Sequence, residues 1–302
     1  MRSRIGSLRS WALLATLIAP SVASAGPITL NTALPVHHGE LIVRQQVMWI
    51  RSTGDQSPLN MNLNVIVAAA ILYYGVNADL TLLGVLPFLH KQVAVTTPMG
   101  RMNRSTNGFG DMMIAARYTL LALDRPGETF RIAPFAGVKM PTGAQNEADA
   151  LGRFPQAFQL GTGSWDPLGG AVLTWQTLRR ELDVSATYQV RTEANGFRAG
   201  DEARADASFQ YRLVPWGALG SGVPSYVFGV LESAVIWNGR NRVSGVDDAN
   251  SGGFTWYVTP GLQYISERSV IEGAFEIPVV QRLNGSALKN DFVAVLSLRQ
   301  SF

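Results

Sequence analysis

The segment ELDVSATYQVRTE (residues 181–193) changes character at every residue. Leu182, Val184, Ala186, Tyr188 and Val190 share one parity; Asp183, Ser185, Thr187, Gln189, Arg191 and Glu193 share the other. Successive side chains of an extended chain point to opposite sides, so this period of two marks a strand with one apolar and one polar face. The same alternation recurs in DMMIAARYTLLA (111–122), TFRIAPFAGVKM (129–140), EARADASFQYR (202–212) and FVAVLSLRQSF (292–302). Twelve candidate strands are predicted, near 40–51, 62–74, 78–90, 111–122, 129–141, 165–177, 181–193, 202–213, 225–238, 253–265, 269–281 and 290–302. Most exceed the usual globular strand and match a tilted bilayer crossing of about 9–11 residues.

Two architectures produce such a pattern. A soluble β-sandwich turns its apolar faces to a core, and a membrane barrel turns them to lipid and its polar faces to a lumen. Connection lengths separate the two. The connections near 52–61, 91–110, 142–164, 194–201, 239–252 and 282–289 are long, whereas those between them are mostly short, as in GVN (75–77) and SER (266–268), with 214–224 the exception. Long loops at one end and tight turns at the other are the habit of an outer-membrane barrel, and a sandwich has no reason to sort its loops so. The expected fold is therefore an all-β, antiparallel transmembrane barrel of about 12 strands, with short periplasmic turns and longer extracellular loops. Tyr73, Tyr118, Trp175, Tyr188, Tyr211 and Tyr264 fall towards strand ends, where an interfacial girdle would sit.

Composition excludes the other routes. After the first 25 residues no apolar run reaches the length of a spanning helix; VIVAAAILYYGV (65–76) is the longest candidate, between Asn64 and Asn77. Residues 1–25 read as a cleaved secretory signal: Arg2, Arg4 and Arg9, an apolar stretch, then Ala23-Ser24-Ala25. Residues 26–39 follow as a short N-terminal periplasmic segment and 40–302 as the barrel. The 25 Lys and Arg exceed the 22 Asp and Glu by three, and those three are the arginines of the signal. The remaining chain is neutral, with no basic run for nucleic acid. Zero cysteines exclude disulfides and thiolate metal sites.

Several short stretches carry a family likeness: GFGD (108–111), GVKMPTG (137–143), QLGTGSWD (159–166), IPVVQRLNG (277–285) and the terminal SLRQSF. In order and spacing they resemble the family named for the meta-pathway of phenol degradation, a family of outer-membrane transporters. The resemblance implies a barrel and the passage of aromatic or other small apolar compounds. It assigns no binding residue. Better-understood relatives, the long-chain fatty-acid and toluene-type channels, hold an N-terminal plug in the lumen. Here only GPITLNTALPVHHG (26–39) precedes the first strand, so no comparable plug is expected.

Catalytic chemistry finds little support. The histidines are His37, His38 and His90, and no G-x-S-x-G elbow occurs. His37 and His38 read as a solvated pair, and neither a metal nor a cofactor is expected. The glycines of GFGD and GTGSWD read as turn residues near the rim. Parity puts Asp111, Arg117, Arg131, Lys139, Asp183, Arg191, Arg204, Asp206, Arg212, Glu232, Glu272 and Glu276 on the inner wall, with Glu193 and Arg299. Such a set either orients polar solutes or braces the wall through ion pairs. Bracing is expected for most, since buried charges are normally paired. In the loop 142–164 and just beyond it, Phe154, Phe158 and Trp165 are candidates for an apolar entry site.

The expected function is an outer-membrane channel that passes small molecules passively, aromatic or apolar compounds among them. The alternatives are a closed structural or binding barrel blocked by ion pairs, and an outer-membrane enzyme acting on lipid. Partners are outer-membrane lipid, a small-molecule solute and the barrel-assembly machinery, for which the terminal strand and Phe302 form the signal.

Overall fold

The computed structural model describes residues 25–55, 59–98, 100–215 and 225–302. Apart from Ala25, the expected signal lies outside the described residues, as does most of the connection 214–224. The wall begins with β1 (Leu41–Thr53), β2 (Asn62–Gly75), β3 (Leu80–Thr97), β4 (Gly100–Phe109), β5 (Met113–Tyr118), β6 (Leu121–Arg125) and β7 (Glu128–Lys139). A small hairpin, β8 (Ala148–Asp149) with β9 (Gly152–Arg153), and a 3-10 turn at Gln156–Phe158 occupy the next loop. Then come β10 (Asp166–Thr177), β11 (Arg180–Gln189), the short β12 (Phe197–Arg198), β13 (Glu202–Val214) and β14 (Tyr226–Asn238). Two short strands, β15 (Arg242–Val243) and β16 (Val246–Asp247), precede β17 (Gly253–Ile265), β18 (Ser269–Leu283) and β19 (Lys289–Ser301).

The wall is a closed antiparallel ring of 12 strands, β1-β2-β3-β5-β7-β10-β11-β13-β14-β17-β18-β19, with β19 pairing back onto β1. Closure puts Met48 opposite Val295 and Gln46 opposite Ser297, and Leu41 and Phe302 exchange backbone hydrogen bonds of 3.3 and 2.9 Å. No edge is left in the ring for another strand to add to. The terminal alternation is thus the last stave of the barrel.

Burial is inverted relative to a soluble protein. Leu231, Leu262, Ile271 and Leu296 are all more than half exposed, while Asp183, Ser208, Gln210 and Glu272 are almost completely covered. A water-soluble sandwich would do the opposite, so the outward face is built for lipid and the inward face for a polar lumen. Trp49, Tyr188, Trp237 and Trp256 ring the exterior near the long loops; Tyr74, Tyr118 and Tyr264 ring it near the short turns. Tyr73 does not belong to that girdle. Its register partner Ile42 shares the parity of lumen-facing Arg44, and the phenol ring turns inward.

The stretch 91–110, expected as a loop, is largely strand. β3 runs on to Thr97 and pairs with β4 from Phe88–Phe109 to Thr97–Gly100. Among the described residues β4 makes no second pairing, so this stretch forms a two-stranded ribbon above the ring. RMNRSTN (101–107) carries polar residues on both parities, yet only its odd-numbered face is open to water; Arg104 and Thr106 on the other face are covered by the 142–164 loop. β4, β5 and β6 together make the fourth stave, interrupted at 110–112 and at 119–120.

Candidate functional site

The lumen is crossed by the segment that leads into β1. Residues 25–36 enter beside Phe228, Ile265 and Val270, arch across, and leave beside Thr81 to start β1. Pro27 and Pro35 deny this segment two ladder donors, so it cannot join the sheet as a regular strand. Its backbone groups turn instead to inward side chains. The Glu232 carboxylate accepts the Ile28 N–H at 2.7 Å, the Thr29 N–H at 3.0 Å and the Thr29 hydroxyl at 2.5 Å. Ala33 N–H donates to Thr174 Oγ1 at 2.7 Å, and Thr174 in turn donates to Asp183. Val36 N–H donates to Thr81 at 3.2 Å, and Arg117 reaches the Leu34 carbonyl at 2.6 Å. Arg44 and Gln263 hold the carbonyls of Ile28 and Gly26. Ile28 packs with Val230, Val293 and Val295, and Ala33 with Ala133 and Val172. A segment expected to stay outside the wall is drawn inside it because the lumen supplies the polar partners that a sheet would have supplied.

Most of the charged residues named from parity fall into three groups. At the base of the arch, Glu272 takes the Arg44 guanidinium at 2.7 Å and Arg299 at 3.5 Å, with Ser297 at 2.6 Å. Towards the long loops, Lys139 bridges Asp111 at 2.6 Å and Asp166 at 3.1 Å; Arg191 lies 3.8 Å from Asp166 and 3.4 Å from Glu202. Between them, Arg204 pairs with Asp206 at 2.7 Å, and Asp183 accepts from Gln210 at 3.0 Å. Arg131 pairs with Asp124 at 3.0 Å near the short turns, and Arg212 stands 5.6 Å from the centre of the Tyr226 ring. Glu276, on the lumen face of β18, makes no ion pair among the described residues. Glu193 lies exposed in the loop after β11.

Parity alone missed the opposite wall. β2 and β3 are apolar on both faces: Leu63, Val65, Val67, Ala69 and Ile71 point inward from β2, and Val85 and Leu89 from β3. With Met48 and Ile50 of β1 they form one continuous apolar surface inside the barrel. The signal was available in NLNVIVAAAILYYG, where alternation disappears because both faces are apolar. The lumen therefore has two unlike sides, a largely charged one from β11 to β19 that Arg44 of β1 joins, and an apolar one formed by Met48 and Ile50 of β1 with β2 and β3.

The outer mouth is built by the loops. The 142–164 loop clamps onto the β3–β4 ribbon through Arg104 and Asp149, paired at 2.8 Å, and through Lys91, whose ammonium donates to the Gln159 carbonyl at 2.5 Å. The guanidinium holds the Asp149 carboxyl below the usual carboxylate range. Phe154, Phe158 and Trp165 do not assemble into one patch. Phe154 is buried, with the Arg104 guanidinium 4.1 Å from its ring centre, and Trp165 faces outward, exposed. Phe158 sits partly covered in the 3-10 turn. His90 lies on the outward face of β3, exposed and away from the lumen acids. His37 N–H meets Glu40 and the His38 ring meets the Val76 carbonyl, at 3.2 and 2.7 Å. Among the described residues, no three His, Asp or Glu side chains are gathered as a metal site.

Residues 51–271 match the family model described as "Putative MetA-pathway of phenol degradation". The chain belongs to this family. No curated protein matches it in sequence. In three dimensions it resembles the COG4313 outer membrane channel from Pseudomonas putida F1, with a TM-score of 0.61 at 15% identity, covering 93% of this chain and 100% of that one. The translocator domain of the autotransporter NalP from Neisseria meningitidis (TM-score 0.43, 11% identity, 89% and 91% covered) is a more distant likeness. So is a Pseudomonas aeruginosa FadL homologue, with a TM-score of 0.34 at 12% identity and 87% and 89% covered. For this family member, a closed barrel with a lipid-facing exterior places the protein in the bacterial outer membrane.

Proposed function

We propose that the protein is an outer-membrane channel for passive passage of small molecules, aromatic or apolar compounds among them. The observation that carries this reading is the apolar inner face of β1–β3. A barrel braced for stiffness alone has no use for a lipid-like surface inside, whereas a solute with an apolar face gains from sliding along one. The charged wall opposite keeps the lumen hydrated and favours solutes with one polar edge. The arch of residues 25–36 lies across this route, so transport requires it to yield. The family's description and the fold shared with a bacterial outer membrane channel support the same reading.

The dense ion pairing around Glu272 favours the rival reading of a permanently closed barrel. Purified protein in liposomes separates the two. Phenol should enter faster than a polar solute of equal size such as glycerol, relative to protein-free vesicles. Identical rates for both solutes with and without protein would leave the closed barrel as the better account.

Assembly gives a further expectation. Phe302 caps the strand that closes the ring, and its ring is exposed beside Leu41. We infer that this strand end is the feature read by the barrel-assembly machinery. Removing Phe302 should lower the amount of heat-modifiable barrel in outer membranes severalfold. A deletion variant that inserts at the normal level would contradict it.

A further inference from the structure

A small cavity of about 70 Å3 lies between the arch and the wall of β1, β2, β5 and β19. A water molecule occupies about 30 Å3 of the liquid, so the space suits particles of that size and no bulky solute. Arch residues line one side. Arg44, Tyr73, Arg117 and Arg299 line the other, and no Asp or Glu lines it anywhere.

Three guanidiniums therefore border one space. Arg44 and Arg299 stand directly opposite each other in the pairing of β1 with β19, a position in which like charges repel. They share a single carboxylate, Glu272, at 2.7 and 3.5 Å. Arg117 has no such partner. It is only 3% exposed, makes no ion pair among the described residues, and donates to the Leu34 carbonyl at 2.6 Å. A guanidinium carries five N–H donors, so most of those on Arg117 are idle. None of its nitrogens is sealed in without a partner, so the idle ones open on the cavity that the residue lines.

Other charged groups do not supply the missing counter-ion. Asp183 and Glu181 of β11 lie outside the cavity lining; the first is engaged by Thr174 and Gln210, the second by Gln176. Around the cavity three positive charges thus meet one negative charge. A buried cation left uncompensated is strongly destabilising. The Tyr73 hydroxyl, also on the lining, is a further donor with no hydrogen-bond partner among the described residues.

We propose that this cavity binds a small inorganic anion of chloride size. Arg117 is its principal donor, the Tyr73 hydroxyl adds a second, and Arg44 and Arg299 supply positive charge around it. The anion also fastens the arch, because Arg117 and Arg44 are the residues that hold the Leu34 and Ile28 carbonyls. The site rests on the arch and its arginines and is independent of what the channel passes.

Crystals of the full-length barrel soaked in sodium bromide test it directly. An anomalous bromide peak beside Arg117 is expected; bromide found only elsewhere, as an adventitious ion, would overturn the proposal. Urea unfolding in detergent gives a second reading, with chloride replacing the bulkier gluconate stepwise at constant ionic strength. A ligand bound by the folded state alone raises the midpoint in a saturating way. The unaltered protein should show that saturating rise, Tyr73→Phe should need several times more chloride to reach it, and Arg117→Met should lose it. No saturating rise in the unaltered protein, or one of equal size in Arg117→Met, would contradict the assignment.

Discussion

Replacing Glu232 by alanine should open the barrel. This carboxylate accepts the Ile28 N–H, the Thr29 N–H and the Thr29 hydroxyl, which makes it the most heavily used anchor of the arch. Ser208 also donates to it, at 3.0 Å, so the anchor is itself fixed to the next strand. Without the carboxylate, two buried N–H groups lose their acceptor at about 1–3 kcal/mol each, a penalty that only the arch in its inward position suffers. A shift of about 1.4 kcal/mol changes the ratio of inward to displaced arch tenfold. Single-channel recordings of Glu232→Ala should therefore show open probability raised at least about tenfold over the unaltered protein. Glu232→Gln retains a carbonyl acceptor and should fall between the two. Recordings indistinguishable across the three proteins would mean that the arch is not held by this residue, or that it does not obstruct the lumen.

The largest loss of stability should come from Glu272. Its carboxylate is enclosed by Arg44, Arg299, Ser297 and Gln263, all from the lumen faces of β1, β17 and β19. Both partners of the closest pair, Glu272 and Arg44, are almost fully removed from solvent. Removing one member of such a pair strands a buried charge, at a cost of about 3–5 kcal/mol. Glu272→Ala should therefore lower the urea midpoint of the reconstituted barrel markedly, and Arg44→Ala should do much the same. The double variant Arg44→Met with Glu272→Leu leaves neither of those charges and should recover part of the loss, the remainder being the cost of Arg299 without its carboxylate partner. If both single variants unfold at the same urea concentration as the unaltered protein, the cluster does not brace the wall.

The wall was legible in the sequence because each stave carries its own proof. In ELDVSATYQVRTE every second residue reports its side, and lipid outside with water inside allows no slip of one residue. Where both sides of a stave are apolar, the report falls silent. NLNVIVAAAILYYG could be placed as a strand, but its inner face, and the inward turn of Tyr73, could not be read from it. The β3–β4 ribbon was hidden for the opposite reason, since its covered face meets polar loop groups through Arg104 and Thr106, and polar residues on both parities leave no alternation to see.

The arch was the least legible element. GPITLNTALPVHHG has no period, and its conformation is set by Glu232, Thr174 and Thr81, acceptors that the chain reaches only after many further residues. Tertiary partners of that kind override any local signal. The same holds for the charges. Parity separates inner from outer residues, but that Lys139 sits between Asp111 and Asp166 depends on the register of β7 against β5 and β10.

The absence of native cysteines makes the central claim directly testable. Ile28 of the arch packs against Val230 of the wall, so Ile28→Cys with Val230→Cys places a thiol on each side of the contact. Phenol flux into liposomes is then measured with the same preparation before and after reduction. A channel obstructed by its own N-terminal arch should be silent while the disulfide is closed and should conduct at the level of the unaltered protein once it is reduced. Equal, non-zero flux in the oxidised and reduced states would show that solutes pass without the arch moving, and would contradict the account.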